Sequence, residues 1–285
     1  MAIRCVVAAV DGSPESLLAL DWAADDAARR KVPLRLVHAC LWERYEAETD
    51  DEDEPLSVRT EVHRLLASAL ARANARQPGV PAVTEVLPQD PVPALTGLGE
   101  LEPLVVLGER GHGGFEGMLL GSVGLRVAAR APYPVVVVRG GSVAGRGGAG
   151  RVVLAVDEDA AATAAAAAFA VEQARLREAE LELVHAWRPD SFLSGGSVLM
   201  TDTTPEDLAG RLVATVELPG AGGLTVRREA RRGRPAKVLL AAADGAELVV
   251  LGAGRRHGHG GLQLGSVSHA VLHHAHCPVA VVPAR

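Results

Sequence analysis

Short runs of branched and leucine side chains recur along the chain, each closed by glycine, proline or aspartate, with apolar residues at helical spacing between them. In the first half, residues 5–10, 34–38, 83–87, 104–107 and 135–138 predict five strands. After the first run, Ser13 can cap a helix and Pro14 suits its first turn, while Leu17, Leu20, Ala24 and Ala27 follow at helical spacing. A second helix is predicted from about Pro55 to Gln77 and a short last one from Ser122 to Arg130. Strands alternating with helices read as βαβ units, hence as a doubly wound parallel sheet that binds ligands beyond the carboxyl ends of its strands.

The pattern repeats. Residues 3–11 (IRCVVAAVD) match 151–157 (RVVLAVD), and LRLVHA at 34–39 matches LELVHA at 181–186. LVVLG recurs at 104–108 and 248–252, LLGSVG at 119–124 returns as LQLGSVS at 262–268, and PVVVV at 134–138 returns as PVAVV at 278–282. Ordered matches at nearly one offset mean a duplicated domain. GGSVAGRGGAG at 140–150 has the composition of a flexible linker, so the expected division is a first domain over 1–140, a linker over 141–150 and a second domain over 151–285.

Composition narrows the class. Of the 285 residues 48% are hydrophobic and 22% charged, enough apolar surface for a core and no signature of disorder. Three widely spaced cysteines (Cys5, Cys40, Cys277) cannot form a disulfide framework and fit a reducing compartment, so the cytoplasm is expected. No apolar run reaches the roughly 18 to 20 residues of a membrane helix, and Asp11 cuts the first run short of a signal peptide. The net charge of -6 argues against nucleic acid as partner, although residues 43–54 alone carry eight acids and Arg44, leaving the remainder near neutral.

The candidate chemistry sits after the fourth strand, in GERGHGGFEGMLLGSVG at 108–124. Glycines there let backbone approach an anion, and a helix beginning at Ser122 offers free N–H groups and a hydroxyl. The same composition also suits a merely flexible surface loop, and loop chemistry alone leaves both readings open. Commoner nucleotide motifs are absent: neither lysine, Lys31 or Lys237, stands in a GxxxxGK setting, and no GxGxxG follows the first strand.

The spacing G-x2-G-x9-G-S, met by Gly108, Gly111, Gly121 and Ser122, resembles the nucleotide loop of the universal stress protein family. VDGS at 10–13, LVHA at 36–39 and APYPVVVV at 131–138 resemble the same family, and the likeness covers the whole chain as a tandem pair. That resemblance implies an adenine nucleotide alpha hydrolase-like fold and ATP, with Mg2+ as a candidate companion ion. An aspartate matching Asp11 and backbone beside Val37 would hold the adenosine part. Gly108, Gly111, Gly121, Ser122 and Val123 would hold ribose and phosphates, with Arg110 and His112 placed to help. Asp11 has the alternative of capping the first helix, Ser122 could be both N-cap and phosphate donor, and His38 and His185 suit structural roles better than ligand contact.

The second copy departs from the pattern. The positions matching the first site are Asp157, Gly252, Gly265 and Ser266, but Arg255 stands where the second glycine belongs, with Gly254 one residue away. A side chain there would be strained if the position needs φ > 0. DGS becomes Asp157, Glu158 and Asp159, adding negative charge. Arg255 and Arg256, with Arg231, Arg232 and Arg234, could neutralise phosphates or simply face solvent. ATP is therefore expected mainly in the first domain. Six histidines (His257, His259, His269, His273, His274, His276) precede Cys277, yet no spaced cysteine pair accompanies them and no metal site is expected.

These readings make the chain an ATP-binding stress-response or signalling module. The rival is a slow ATPase or adenylyl-transfer enzyme of the same superfamily, for which no water-activating base or nucleophile–His–acid set is evident. The resemblance further implies that the two last strands pair antiparallel, joining the copies as an internal pseudo-dimer. A homodimer of whole chains is the matching expectation for assembly.

Overall fold

The computed structural model describes residues 3–41, 55–111, 121–139, 150–189, 203–254 and 264–284. The Gly-rich linker up to residue 149, the acidic segment at 43–54, and His112, Arg255, Arg256, His257 and His259 lie outside the described residues. Contacts divide the chain into two units, Met1–Gly140 and Gly141–Arg285.

The first unit runs β1 (Cys5–Ala9), α1 (Pro14–Arg30), β2 (Leu34–Ala39), α2 (Pro55–Arg76), β3 (Ala82–Leu87), α3 (Pro91–Thr96), β4 (Pro103–Gly108), α4 (Ser122–Arg130) and β5 (Val135–Val138). Its strands lie in the order β3-β2-β1-β4-β5. Every pairing is parallel. The order reverses at β1, so right-handed crossovers send the helices of the two directions to opposite faces. Accordingly α1 packs with α2, and α3 with α4. β1 and β4 are buried almost throughout, while the edge strand β3 leaves Val83 exposed. A parallel strand covered on both faces must be apolar on both, which explains the unbroken valine and leucine runs.

α1 starts as its sequence demands. The Ser13 hydroxyl accepts from the Ser16 amide at 3.2 Å and Pro14 opens the first turn. Leu20, Ala24 and Ala27 are fully buried against the sheet. On its other side, Arg72 and Arg76 of α2 donate paired bonds to Asp21 and Asp25 at 2.7 to 2.8 Å, clamping the two helices. Burial would raise the Asp25 carboxyl, but hydrogen bonds from Arg76 and Gln77 outweigh it and hold the group below its ordinary range.

The second unit repeats the plan with β6 (Arg151–Ala155), α5 (Ala160–Arg177), β7 (Glu180–Trp187), α6 (Pro205–Thr215), β8 (Val226–Arg232), α7 (Pro235–Ala243), β9 (Leu248–Ala253), α8 (Ser266–His274) and β10 (Val279–Pro283). Its order is β8-β7-β6-β9-β10, again all parallel. The chain therefore holds two doubly wound five-stranded parallel sheets. The short helices α3 and α7 were not among the expected elements. The six residues of α3 hold two prolines, too few for a visible period, although Asp90 before Pro91 is a helix-start signal.

Charged residues on β2 and β3 distinguish the first copy from the second. In the first, Arg35 of β2 meets Glu85 of β3 at 2.5 Å. In the second, the position of Arg35 is taken by Glu182, which is 2% exposed and held by Arg231 at 2.5 Å and Arg151 at 3.2 Å.

Candidate nucleotide site

At the carboxyl end of the first sheet, where the strand order reverses between β1 and β4, lies a cavity of about 320 Å³. Open α/β sheets bind ligands at this switch point because the diverging loops leave a crevice there. Asp11, Val37, Gly108, Arg110, Gly111, Gly121, Ser122 and Val123 all line it. Of the first-copy residues singled out in the sequence, only His112 lies outside the described residues.

β1 delivers Asp11 through a tight turn. Gly12 sits at φ 86, a conformation that disfavours other residues, and brings Ser13 back onto the aspartate. Asp11 Oδ1 accepts the Ser13 amide at 3.0 Å and the Ser13 hydroxyl at 2.6 Å. Asp11 is thus not the helix cap; it orients the cap residue while its carboxylate stays on the cavity wall. The neighbouring strand is fixed by His38, whose Nδ1 donates to the Val10 carbonyl at 2.8 Å, as a carbonyl can only accept. His185 makes the same bond to the Val156 carbonyl at 2.9 Å in the second unit, a structural role for both histidines.

β4 ends against α1. A Cβ at Gly108 would lie 2.7 Å from the Glu15 carbonyl carbon, and one at Gly111 would fall on the Asp11 carboxylate. Gly111 does not have positive φ, so glycine is required there by space and not by its dihedral. The Gly121 amide then donates to the Glu109 carbonyl at 2.7 Å, folding the loop's far end back beside its start. Gly121, not Ser122, is the N-cap of α4, and no side chain caps it. This corrects the expectation of Ser122 as cap. The first amides of α4 consequently point at the cavity with no side-chain acceptor, beside the Ser122 hydroxyl.

The cavity has two characters. Ala9, Val10, Val37, Ala39, Pro91, Leu95 and Leu107 make an apolar slot, and the loop with Arg110 makes a polar rim. Arg110 Nε is buried and has no hydrogen-bond partner among the described residues. Sequence reasoning missed Pro91 and Leu95 because it missed α3. Leu95 is fixed from beneath by Tyr133, whose buried hydroxyl donates to the Leu95 carbonyl. It also missed Glu109, which lines the cavity and pairs with buried Arg139 at 2.8 Å.

The second unit keeps the frame and changes the chemistry. A Cβ at Gly252 would lie 2.5 Å from the Ala162 carbonyl oxygen, repeating the close approach at Gly108. Gly265 is again an uncapped N-cap before Ser266. At the strand-one end, however, Asp157, Glu158 and Asp159 are all exposed. Asp159 has become the cap, accepting from the Ala161 and Ala162 amides at 3.0 and 3.1 Å, and Gly254 lies against its carboxylate. The strand-end aspartate and the cap stay two residues apart in both copies, but α5 is one residue longer than α1, 18 against 17, so the Asp11 amide bonds Ser16 Oγ five residues on and the Asp157 amide bonds Thr163 Oγ1 six residues on. Glu158, at the position of Gly12, does not have positive φ. His269 and His273 stack at 4.3 Å on α8, and no group of three metal-ligating residues forms among the described residues. No helix among the described residues is long and apolar enough to cross a membrane.

The family model described as the universal stress protein family matches residues 3–139 and again 148–283. A universal stress protein of Mycobacterium tuberculosis is 31% identical over 290 residues, covering 97% of this chain and 95% of its own. One from Mycobacterium bovis is 32% identical over 288 residues, covering 97% and 96%. The crystal structure of a universal stress protein from Archaeoglobus fulgidus matches with a TM-score of 0.72 at 19% identity and full coverage of both chains, a likeness of fold. With the family matched twice and relatives that run the length of the chain, this protein belongs to the universal stress protein family and carries two of its domains in tandem.

Proposed function

We propose that the first unit is an ATP-binding module of a stress-response or signalling protein in the cytoplasm, and that the second unit binds ATP weakly or not at all. The observation that carries this is a cavity in which the apolar slot, Asp11, Arg110 and the uncapped start of α4 converge. The slot suits a purine, and Asp11 suits ribose hydroxyls. The α4 amides, Ser122 and Arg110 suit phosphates, since they present donors and positive charge without needing a lysine loop. Its volume falls near the lower end of the roughly 300 to 1,000 Å³ typical of small-molecule sites. Mg2+ prefers one or two carboxylates plus substrate phosphates, and Asp11 is a carboxylate on the wall that could share such an ion.

Binding without rapid turnover is the reading the site supports. Each acid–base candidate on the wall is already engaged: Asp11 by Ser13, Glu109 by Arg139 and His38 by the Val10 carbonyl. In the second unit, three exposed carboxylates at the strand-one end would repel polyphosphate. Titration calorimetry of the purified chain with ATP should give one strong site, abolished by Gly111→Ala. Two equal sites, or none, would overturn the proposal, and rapid hydrolysis lost in Ser122→Ala would replace it with an ATPase.

A further inference from the structure

Glu109 is an unexpected residue for an anion site, because it places a carboxylate in the wall where phosphates are proposed to bind. It is held at its amide, its carbonyl and its carboxylate. Its amide donates to the Val138 carbonyl at 3.0 Å, its carbonyl accepts the Gly121 amide at 2.7 Å, and its carboxylate receives both Nε and Nη2 of Arg139 at 2.8 Å. The last ladder pair between β4 and β5 is Gly108 opposite Val138, so Glu109 and Arg139 are the cross-strand pair one step beyond it. The Arg139 side chain is 7% exposed and that of Glu109 15%.

The second unit supplies an internal comparison. There the ladder pairs Gly252 with Val282 and then Ala253 with Pro283. The positions of Glu109 and Arg139 thus hold an alanine and a proline, and both members of the ion pair are missing together in the copy whose glycine loop and strand-one end are altered.

We infer that Arg139 is a positioning residue of the first-unit nucleotide site: it neutralises Glu109 and, through the Glu109 backbone, sets the N-terminus of α4 at the distance phosphates require. The inference rests on the nucleotide reading above. Glu109 is the joint between β5 and the phosphate-facing helix, and a joint of this kind needs a side chain that can be gripped. Arginine grips it with two donors and cancels its charge in one contact. Without Arg139 the wall beside the phosphates would lose the positive charge paired with this carboxylate, and the repulsion would grow with each phosphate carried by the ligand.

The test compares adenosine, AMP, ADP and ATP by calorimetry on the full chain. Arg139→Gln should lower ATP affinity about tenfold, AMP less and adenosine within about twofold, a graded loss that general loosening of the fold would not produce. Arg139→Lys, which keeps the charge, should recover most of the ATP affinity. The double variant Glu109→Gln with Arg139→Gln should bind ATP better than Arg139→Gln alone. Equal losses for adenosine and ATP, or no recovery in the double variant, would overturn the inference while leaving the nucleotide site standing. Failure of the unaltered chain to bind any of the four ligands would overturn both.

Discussion

Gly108 meets the backbone of Glu15 so closely that a single added carbon would sit 2.7 Å from its carbonyl carbon and 2.9 Å from the Ser16 amide nitrogen. The end of β4 is pressed against the first turn of α1, and neither backbone can yield without moving a core element. Gly108→Ala should therefore destabilise the first unit by about 1 to 3 kcal/mol and weaken nucleotide binding as well. Denaturant unfolding alongside calorimetry checks both. Gly252→Ala, which meets the Ala162 backbone in the same way, should cost similar stability and leave ATP binding unchanged.

Ser122 and Ser13 should separate binding from stability. Ser13 caps α1 through its hydroxyl, so Ser13→Ala should cost about 1 kcal/mol of unfolding free energy. Ser122 is the residue after the N-cap of α4, and its replacement should leave stability within about 0.5 kcal/mol. If its hydroxyl donates to phosphate, Ser122→Ala should lower ATP affinity by roughly tenfold. Equal stability losses in the two variants would contradict the assignment of the caps.

Gly111→Ala puts a methyl group on the Asp11 carboxylate, a flexible side chain and not backbone. The carboxylate can swing away, so the fold should tolerate the change far better than Gly108→Ala. The cost should appear in binding, because the Asp11 geometry set by Ser13 is lost. Thermal unfolding within a few degrees of the unaltered chain, together with loss of the ATP signal, is the expected result.

Tyr133 supplies a pH signature. Burial pushes its phenol from about 10 up to about 12, with a backbone group of Leu98 acting in the other direction. The folded chain thus holds this proton more tightly than the unfolded chain does. The stabilisation is complete below about pH 10 and is lost as pH rises toward 12. Of the two tyrosines, one should ionise late in a phenolate absorbance titration, and Tyr133→Phe should abolish that late step. The same variant strands the Leu95 carbonyl, so a stability loss of about 1 to 3 kcal/mol and weaker nucleotide binding should accompany it.

The frame was legible because duplication printed it twice: every strand expected in the first copy appears within a residue or two of its observed bounds. Asp11, Gly108, Gly111 and Gly121 were legible because each answers a local requirement of backbone space or turn chemistry. What the sequence hid were contacts between distant segments. Nothing local in GER announces that Glu109 will be gripped by Arg139, thirty residues on, since the pairing depends on strand register. Likewise six residues with two prolines gave no period from which to expect α3, and Leu95 went with it. In the second copy, the extra helical residue before Thr163 shows only when hydrogen bonds fix the correspondence, because Asp157 to Asp159 align with Asp11 to Ser13 without it.

The inverted charge at Arg35 and Glu182 bears on how two domains of one design fold on one chain. Tandem domains with near-identical strands are prone to trade elements while folding. In their observed registers Val37 stands opposite Glu85 and Val184 opposite Glu229. Were β3 to occupy the place of β8, Glu85 would replace Glu229 and Leu87 would replace Arg231, so Glu182 would lose that arginine. A carboxylate buried as deeply as Glu182 would then have a leucine in place of this arginine, a loss that is strongly disfavoured. The LELVHA strand of the second copy is thereby keyed to its own edge strand, because only β8 carries the arginine that Glu182 needs.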